Sequence, residues 1–274
     1  MNFRTLKVGS QGALALVTLS RPEARNAMSA QLMREMIACA GRLAARRELR
    51  VVIVRGAGSC FSAGADLKDR ARWGEARGSL EEGREIASLG FRMARAWEEL
   101  PHLTIAAIEG YAIGGGLALA LALDWRVLAR DAFVSFPEIA LGIPLTWGTL
   151  PRLVNLVGPA RAKRLTILCE RFPASQAQAM GLADYLSAPG EALKTAREVA
   201  KAVLALPRSS VRMSKESINA YANLGAHAAS HMAHDQVQLA AASREAKDAR
   251  EAFALRKKQK PAASRAGSRA RGRR

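Results

Sequence analysis

The segment Thr104 to Ala129, TIAAIEGYAIGGGLALALALDWRVLA, decides the fold class by its punctuation. The apolar run from Leu103 to Leu123 approaches the length of a membrane span. Glu109, Gly110 and the triplet Gly114-Gly115-Gly116 interrupt it, and it ends on Asp124. Such a run reads as a buried strand over 104–110, a glycine turn, a buried helix over 115–123 and a second strand over 125–129. Strand, helix and strand in succession imply a right-handed crossover and a largely parallel sheet, so the chain is α/β.

The same grammar appears upstream. VVIVRG (51–56) is a continuous apolar run of the kind buried on both sheet faces, and a turn of small residues follows it. A helix is predicted from Ser29, a good N-cap, through QLMREMIACAGRLAA. FRTLKV and GALALVTL (12–19) read as a hairpin joined across GSQG. Residues 80–99 have helical patterning. Beyond about residue 158 helices take over, and Ala188-Pro189-Gly190 marks a boundary. The expected organisation is a core over 1–190, an Ala-rich helical assembly region over 191–260 and a basic, low-complexity, disordered tail over 261–274.

Charge narrows the partners. The chain has 274 residues and a net charge of +18, of which nine positive charges fall in its last nineteen residues, leaving +9 on the rest. A basic body suits a polyanionic ligand, either a phosphorylated cofactor or a nucleic acid. The tail lacks the interleaved aromatics of a base-stacking platform, so a salt-sensitive attraction to polyanions is the most expected of it. Cys39, Cys60 and Cys169 are scattered and odd in number, without CxxC, which points to a reducing cytoplasm. The start, MNFRTLKV, lacks the apolar stretch of a signal peptide.

Two turns stand out chemically: Cys60-Phe61-Ser62-Ala63-Gly64-Ala65-Asp66-Leu67 after the first buried strand, and Ile113-Gly114-Gly115-Gly116-Leu117 after the second. Small residues between a strand end and a helix start expose backbone N–H groups and let a ligand approach closely. Two such turns side by side would aim two N–H groups at one oxygen, although glycines there also serve tight packing.

In order and spacing, RPEARNAMS (21–29), CFSAGADLKD (60–69), IEGYAIGGGLALALALDWRV (108–127) and FPEIALGIP (136–144) with GTLPRLVNLVGPARAKRL (148–165) resemble the enoyl-CoA hydratase/isomerase (crotonase) superfamily. The resemblance covers about residues 10–190 with specific motifs and the following helices more loosely; AREAFALRKKQKP (249–261) is similar to the family's C-terminal helix on the acyl-CoA side. It implies a spiral of ββα turns with a C-terminal helical trimerisation domain, a homotrimer or dimer of trimers, and a coenzyme A thioester as substrate with no further cofactor and no metal. It also implies that the thioester carbonyl sits between the amides of Ala65 and Gly115. Arg25, Ala27, Ala63, Ala65, Asp66 and Leu67 then lie on the CoA side, and Gly114, Thr146 and Trp147 near the acyl group.

In that family two glutamates commonly share the acid–base work. One matches Glu138 in the pair Pro137-Glu138; the other position is Ala118, which cannot titrate. A third carboxylate, used by dienoyl isomerases, matches Thr146. A single base beside an enolate suffices to move a double bond, so isomerisation of an enoyl-CoA is the expectation, with Arg25 available for a phosphate and Asp66 more suited to fixing its own turn. Hydration with Glu138 as sole acid/base is the alternative. RNA binding through the tail, a non-catalytic CoA-binding scaffold, and a naphthoyl-CoA synthase or decarboxylase of the same family are further alternatives. His227, His231 and His234 share a helical face with Asp235 beside them, but the chemistry expected here needs no metal.

Overall fold

A computed structural model describes residues 2–73, 79–226, 230 and 233–259. The chain forms strands β1 (Leu6–Gln11), β2 (Leu14–Leu19), β3 (Val51–Gly56), β4 (Leu103–Ile108), β5 (Tyr111–Ile113), β6 (Trp125–Ala129), β7 (Phe133–Ser135), β8 (Arg171–Pro173) and β9 (Tyr185–Ser187). The α-helices are α1 (Ala30–Ala44), α2 (Arg70–Trp73), α3 (Leu80–Glu98), α4 (Gly115–Leu121), α5 (Thr149–Ile167), α6 (Ala174–Ala179), α7 (Ala192–Leu204), α8 (Arg208–Ala222), α9 (Ala233–Ala242) and α10 (Arg244–Gln259).

Six strands form one sheet in the order β1-β2-β3-β4-β6-β9, parallel except for the β1–β2 hairpin. β5, β7 and β8 form a second sheet, with β5 and β7 parallel. β4, β5 and α4 make one ββα unit, and β6, β7 and α5 the next. β3 starts an earlier unit whose second strand shrinks to a single parallel bridge between Ser62 and Ala112. This is the α/β spiral that the resemblance implies. Its strands need no polar alternation because both faces are covered: Val51, Val52, Ile53 and Val54 are all fully buried.

Local chemistry explains most boundaries. Ser29 caps α1, its hydroxyl accepting from the Leu32 amide at 3.2 Å. Ser79 and Glu82 close a capping box on α3. The carboxylates that punctuate the apolar run have structural partners: Glu109 accepts from the amides of Gly190 and Ala192 at the start of α7. Asp124 accepts from Thr104 and pairs with buried Lys215 at 2.6 Å.

Two expectations shift. The first hairpin does not turn over GSQG: Gly9, Ser10 and Gln11 belong to β1, and the turn is Gly12-Ala13, with Gly12 at φ 55°. α4 ends at Leu121 rather than 123. α5 is broken at Gly158 before Pro159, because proline has no amide to continue the ladder. The tail over 261–274 lies outside the described residues, as do His227 and His231. Among the described residues no helix is long and apolar enough to cross a membrane.

Candidate active site

The site is built where β3 and β4–β5 end. Gly64 is at φ 88°, and a methyl on it would lie 2.6 Å from the Ile113 carbonyl oxygen and 3.4 Å from the Gly115 nitrogen. The two small-residue turns therefore touch. Gly114, at φ 51°, swings the chain into α4, its own amide bonded to the Ser135 carbonyl at 2.8 Å. Gly115 opens the helix, so its N–H has no carbonyl four residues back to bond. The Ala65 N–H is likewise left over: the parallel bridge between Met28 and Ala65 uses the Gly64 and Met28 carbonyls and the Met28 and Asp66 amides. Among the described residues, two adjoining amides, those of Ala65 and Gly115, thus have no backbone acceptor.

Around this pair the RPEARNAMS loop is locked by groups that composition alone does not single out. Asn26 is fully buried and left-handed, at φ 53°, which asparagine tolerates better than most residues. Its Nδ2 donates to the Ala57 and Cys60 carbonyls, and its Oδ1 accepts from the Arg21 amide. Arg21 donates to the Ala27 carbonyl at 2.6 Å and to Asp66 at 2.9 Å. The buried Ser62 hydroxyl donates to the Asn26 carbonyl and accepts from the Gly64 amide. The signal for Arg21 and Asn26 was present in the sequence, inside a quoted motif, but only the contacts give them work as positioning groups.

The residues expected on the CoA side spread along one rim. Asp66 ties down its own turn by accepting from the Lys68 amide, and also pairs with Arg21. Ala63 donates its amide to the Arg25 carbonyl at 2.9 Å, Ala27 is buried, and Leu67 is exposed. Arg25 is exposed at φ 54°, with its guanidinium reaching the Tyr111 hydroxyl, so it stands at the surface where a phosphate could meet it.

Glu138 comes to the opposite wall. A methyl on Gly114 would lie 2.6 Å from its Oε1, so the carboxylate takes up the space a side chain at 114 would need. Glu138 precedes a short 3-10 turn over Ile139–Leu141, yet its side chain does not cap that turn. Oε2 is buried and has no hydrogen-bond partner among the described residues. Burial without a cation pushes the carboxyl up to about 7, opposed only by a hydrogen bond to backbone at Glu138 itself. A buried carboxylic acid poised near neutrality is equipped to take and return protons.

Ala118 is buried on α4, and its amide donates to the Gly114 carbonyl. Helical side chains lean toward the helix N-terminus, so position 118 leans back over the first turn of α4, which Gly114 and Gly115 open. A methyl is all that stands there. Trp147 is 7% exposed and left-handed, at φ 62°. Its ring packs on Gly115, where a methyl would lie 2.5 Å from Cη2, and its other edge packs on Gly90 of α3. Thr146 sits beside it, half-buried, its carbonyl accepting from the Thr149 amide. Gly90 went unnoticed in the sequence. A glycine inside a helix costs about 1 kcal/mol relative to alanine, and that cost was the available hint.

Comparison with known proteins gives the chain a family. The family model for enoyl-CoA hydratase/isomerase matches residues 9–262. A short-chain-enoyl-CoA hydratase of Clostridium acetobutylicum is 33% identical over 220 residues, 80% of this chain and 82% of the relative. A putative enoyl-CoA hydratase/isomerase of Bacillus subtilis is 38% identical over 75% of this chain and 78% of its own length. Among solved structures, an enoyl-CoA hydratase/isomerase from Xanthobacter autotrophicus Py2 superposes with a TM-score of 0.82 at 28% identity, covering 95% of this chain and 100% of that one. An enoyl-CoA hydratase from Mycobacterium avium subsp. paratuberculosis K-10 does so with a TM-score of 0.82 at 26% identity, covering 93% and 97%. With a family model spanning nearly the whole chain and relatives above 30% identity over three quarters of it, the chain belongs to the enoyl-CoA hydratase/isomerase family and is an acyl-CoA enzyme of that family.

Proposed function

We propose that the enzyme isomerises the double bond of an enoyl-CoA, using Glu138 as its one acid/base. The carrying observation is the asymmetry of the site: Glu138 Oε1 lies against Gly114, while the position one helical turn further along α4 is Ala118, which cannot titrate. The thioester oxygen accepts from the Ala65 and Gly115 amides, which acidifies the carbon next to the carbonyl. The Glu138 carboxylate removes a proton from C2 of a 3-enoyl thioester. The charge spreads into a dienolate whose oxygen is held by the two amides. Protonated Glu138 then returns the proton to C4, leaving the 2-enoyl ester and a carboxylate ready for another cycle. No water enters. Fixed donors aimed at a developing oxyanion are worth about 10²–10³ in rate each.

The rim from Arg25 and Ala27 to Ala63, Ala65, Asp66 and Leu67 receives the CoA moiety in this reading, and its basic surroundings suit the phosphates. The chain works as a homotrimer or a dimer of trimers. Support comes from Met213, Ile218 and Tyr221 on α8 and Leu224 beyond it, each 64–79% exposed, beside a groove of about 600 Å³ between α8 and the α4–β6 corner. Several exposed apolar side chains beside one groove are what an association face presents.

The test is one incubation of crotonyl-CoA and a 3-enoyl-CoA in D₂O, with wild type and Glu138→Gln. Conversion of the 3-enoyl ester without a 3-hydroxy product, lost in the variant, is expected. Rapid formation of 3-hydroxyacyl-CoA would establish hydration with a single glutamate instead. Tight binding of CoA esters with no turnover would make the protein a scaffold.

A further inference from the structure

We infer that Trp147 sets the length of acyl chain the site takes, closing it to all but short enoyl groups; this rests on the Ala65–Gly115 amides holding the thioester. Gly115 contributes one of those amides, so whatever packs on Gly115 stands beside the first acyl carbons. That neighbour is the indole. Its Cζ3 and Cη2 occupy the space a side chain at 115 would take, and its Cε2, Nε1 and Cδ2 occupy the corresponding space at Gly90. The ring thus spans the gap between α4 and α3, and it does so only because both facing positions are glycine. A side chain at either would expel it.

The plug is also fixed. Trp147 and Gly148 are consecutive left-handed residues, at φ 62° and 66°. For a bulky residue that conformation is costly and persists only where its surroundings enforce it. Arg152 Nη1 donates to both carbonyls, Trp147 and Gly148, at 3.0 Å each. The same guanidinium is held at 2.7 Å by both oxygens of Glu98, at the end of the helix that carries Gly90. A methyl on Gly148 would lie 3.1 Å from the Phe91 ring, so the turn is seated on α3 as well. One buried ion pair therefore clamps the tryptophan turn to the helix its ring leans on. A ring held in this way does not step aside for additional methylenes.

Gate and substrate class can be tested together. kcat/KM is measured for hexenoyl- and dodecenoyl-CoA esters with wild type and with Trp147→Gly, in which glycine accepts the left-handed backbone and the ring is gone. The wild type is expected to favour the hexenoyl ester. The variant should raise the dodecenoyl-to-hexenoyl ratio at least about tenfold, since one methylene in an apolar pocket is worth about 10–200-fold. A purely structural tryptophan would lower both values together and leave the ratio unchanged, overturning the proposal. Should the variant fail to fold, the wild type alone decides: equal turnover of the two chain lengths refutes the gate. If wild type turns over no enoyl ester, the isomerase reading falls, and the gate is then judged by binding of butyryl- against dodecanoyl-CoA. Equal affinity for those two would end it.

Discussion

Glu138 Oε1 rests against the α-carbon of Gly114, the residue that turns the chain into α4. This one approach brings the proposed acid/base within a residue of the Gly115 amide, so the glycine run has a use beyond packing in the proposed reaction. Replacing Glu138 by Gln keeps the shape and removes the proton carrier. Double-bond migration should fall by at least the 10²–10⁴ that general acid–base catalysis supplies, while the circular dichroism spectrum stays that of wild type. Retention of more than a tenth of wild-type kcat would remove Glu138 from the mechanism.

The same burial makes activity and stability run in opposite directions with pH. As the base, Glu138 must be ionised, so kcat/KM should climb through an apparent pKa of about 7. For folding, the carboxyl is an acid whose value is raised from 4.5 to about 7, so the folded protein keeps a proton that the unfolded chain has already released. Its contribution to stability is therefore intact below pH 4.5 and is lost as pH rises through 7, by about 3 kcal/mol at 1.36 kcal/mol per unit. Glu138→Gln should accordingly unfold at higher urea than wild type at pH 8 and at nearly the same urea at pH 4.5. A variant weaker than wild type at pH 8 would show that the carboxylate is not destabilised there.

Gly64 gives an independent check of the paired amides. An alanine methyl would meet the Ile113 carbonyl oxygen at 2.6 Å, a backbone atom that cannot swing away, and φ 88° is strained for any side chain. The two turns must part, and misdirecting one donor costs about 10²–10³ in kcat. Gly64→Ala should lose that much activity while a CoA ester still binds, measured by single-turnover kinetics beside equilibrium binding. Unchanged kcat would mean the two amides do not act on one oxygen.

Much of this was legible in the sequence, because backbone chemistry leaves marks there. Glycine triplets, a Pro-Glu pair and apolar runs cut by Glu109 and Asp124 have local causes, and the strand–turn–helix units follow from them. The hairpin turn was misplaced because Gly9 and Gly12 both signal a turn, and only the pairing of Gln11 with Leu14 selects Gly12. What stayed hidden depends on partners distant in sequence. Arg152 reaches Glu98, fifty-four residues away, and Trp147 reaches Gly90 across two helices. No spacing rule announces such pairs, and neither the burial of Glu138 nor the clamp on Trp147 could be read before the chain closed on itself.

The Arg152–Glu98 pair should matter more to the fold than a surface salt bridge. Both side chains are nearly buried, at 9% and 13% exposure, and the two hydrogen bonds between them are 2.7 Å long. Removing one partner strands the other charge, a loss of about 3–5 kcal/mol. Glu98→Gln should lower the urea midpoint by that equivalent, whereas Arg95→Gln, which breaks an exposed pair with Glu99 on the same helix, should cost about 0.5 kcal/mol or less. Equal effects of the two substitutions would show that the buried pair does not clamp the tryptophan turn.

The last prediction concerns the missing carboxylate. If Ala118 is what separates this enzyme from water addition, supplying an acid there should change the reaction rather than merely slow it. Position 118 lies one helical turn beyond Gly114, against which Glu138 Oε1 rests, so Ala118→Glu would set two carboxyls around one small volume. Like charges in that space raise one pKa further, which gives one protonated and one ionised group, the division of labour that hydration requires. The substitution buries a larger polar side chain, and a stability loss of about 1–3 kcal/mol should accompany it. Among molecules that remain folded, the ratio of 3-hydroxyacyl-CoA formed to double bond shifted should rise by about tenfold or more, within the 10²–10⁴ range of a general acid–base partner. A ratio that does not move would locate the choice between water and isomerisation elsewhere, in how the site excludes water rather than in how many carboxylates it holds.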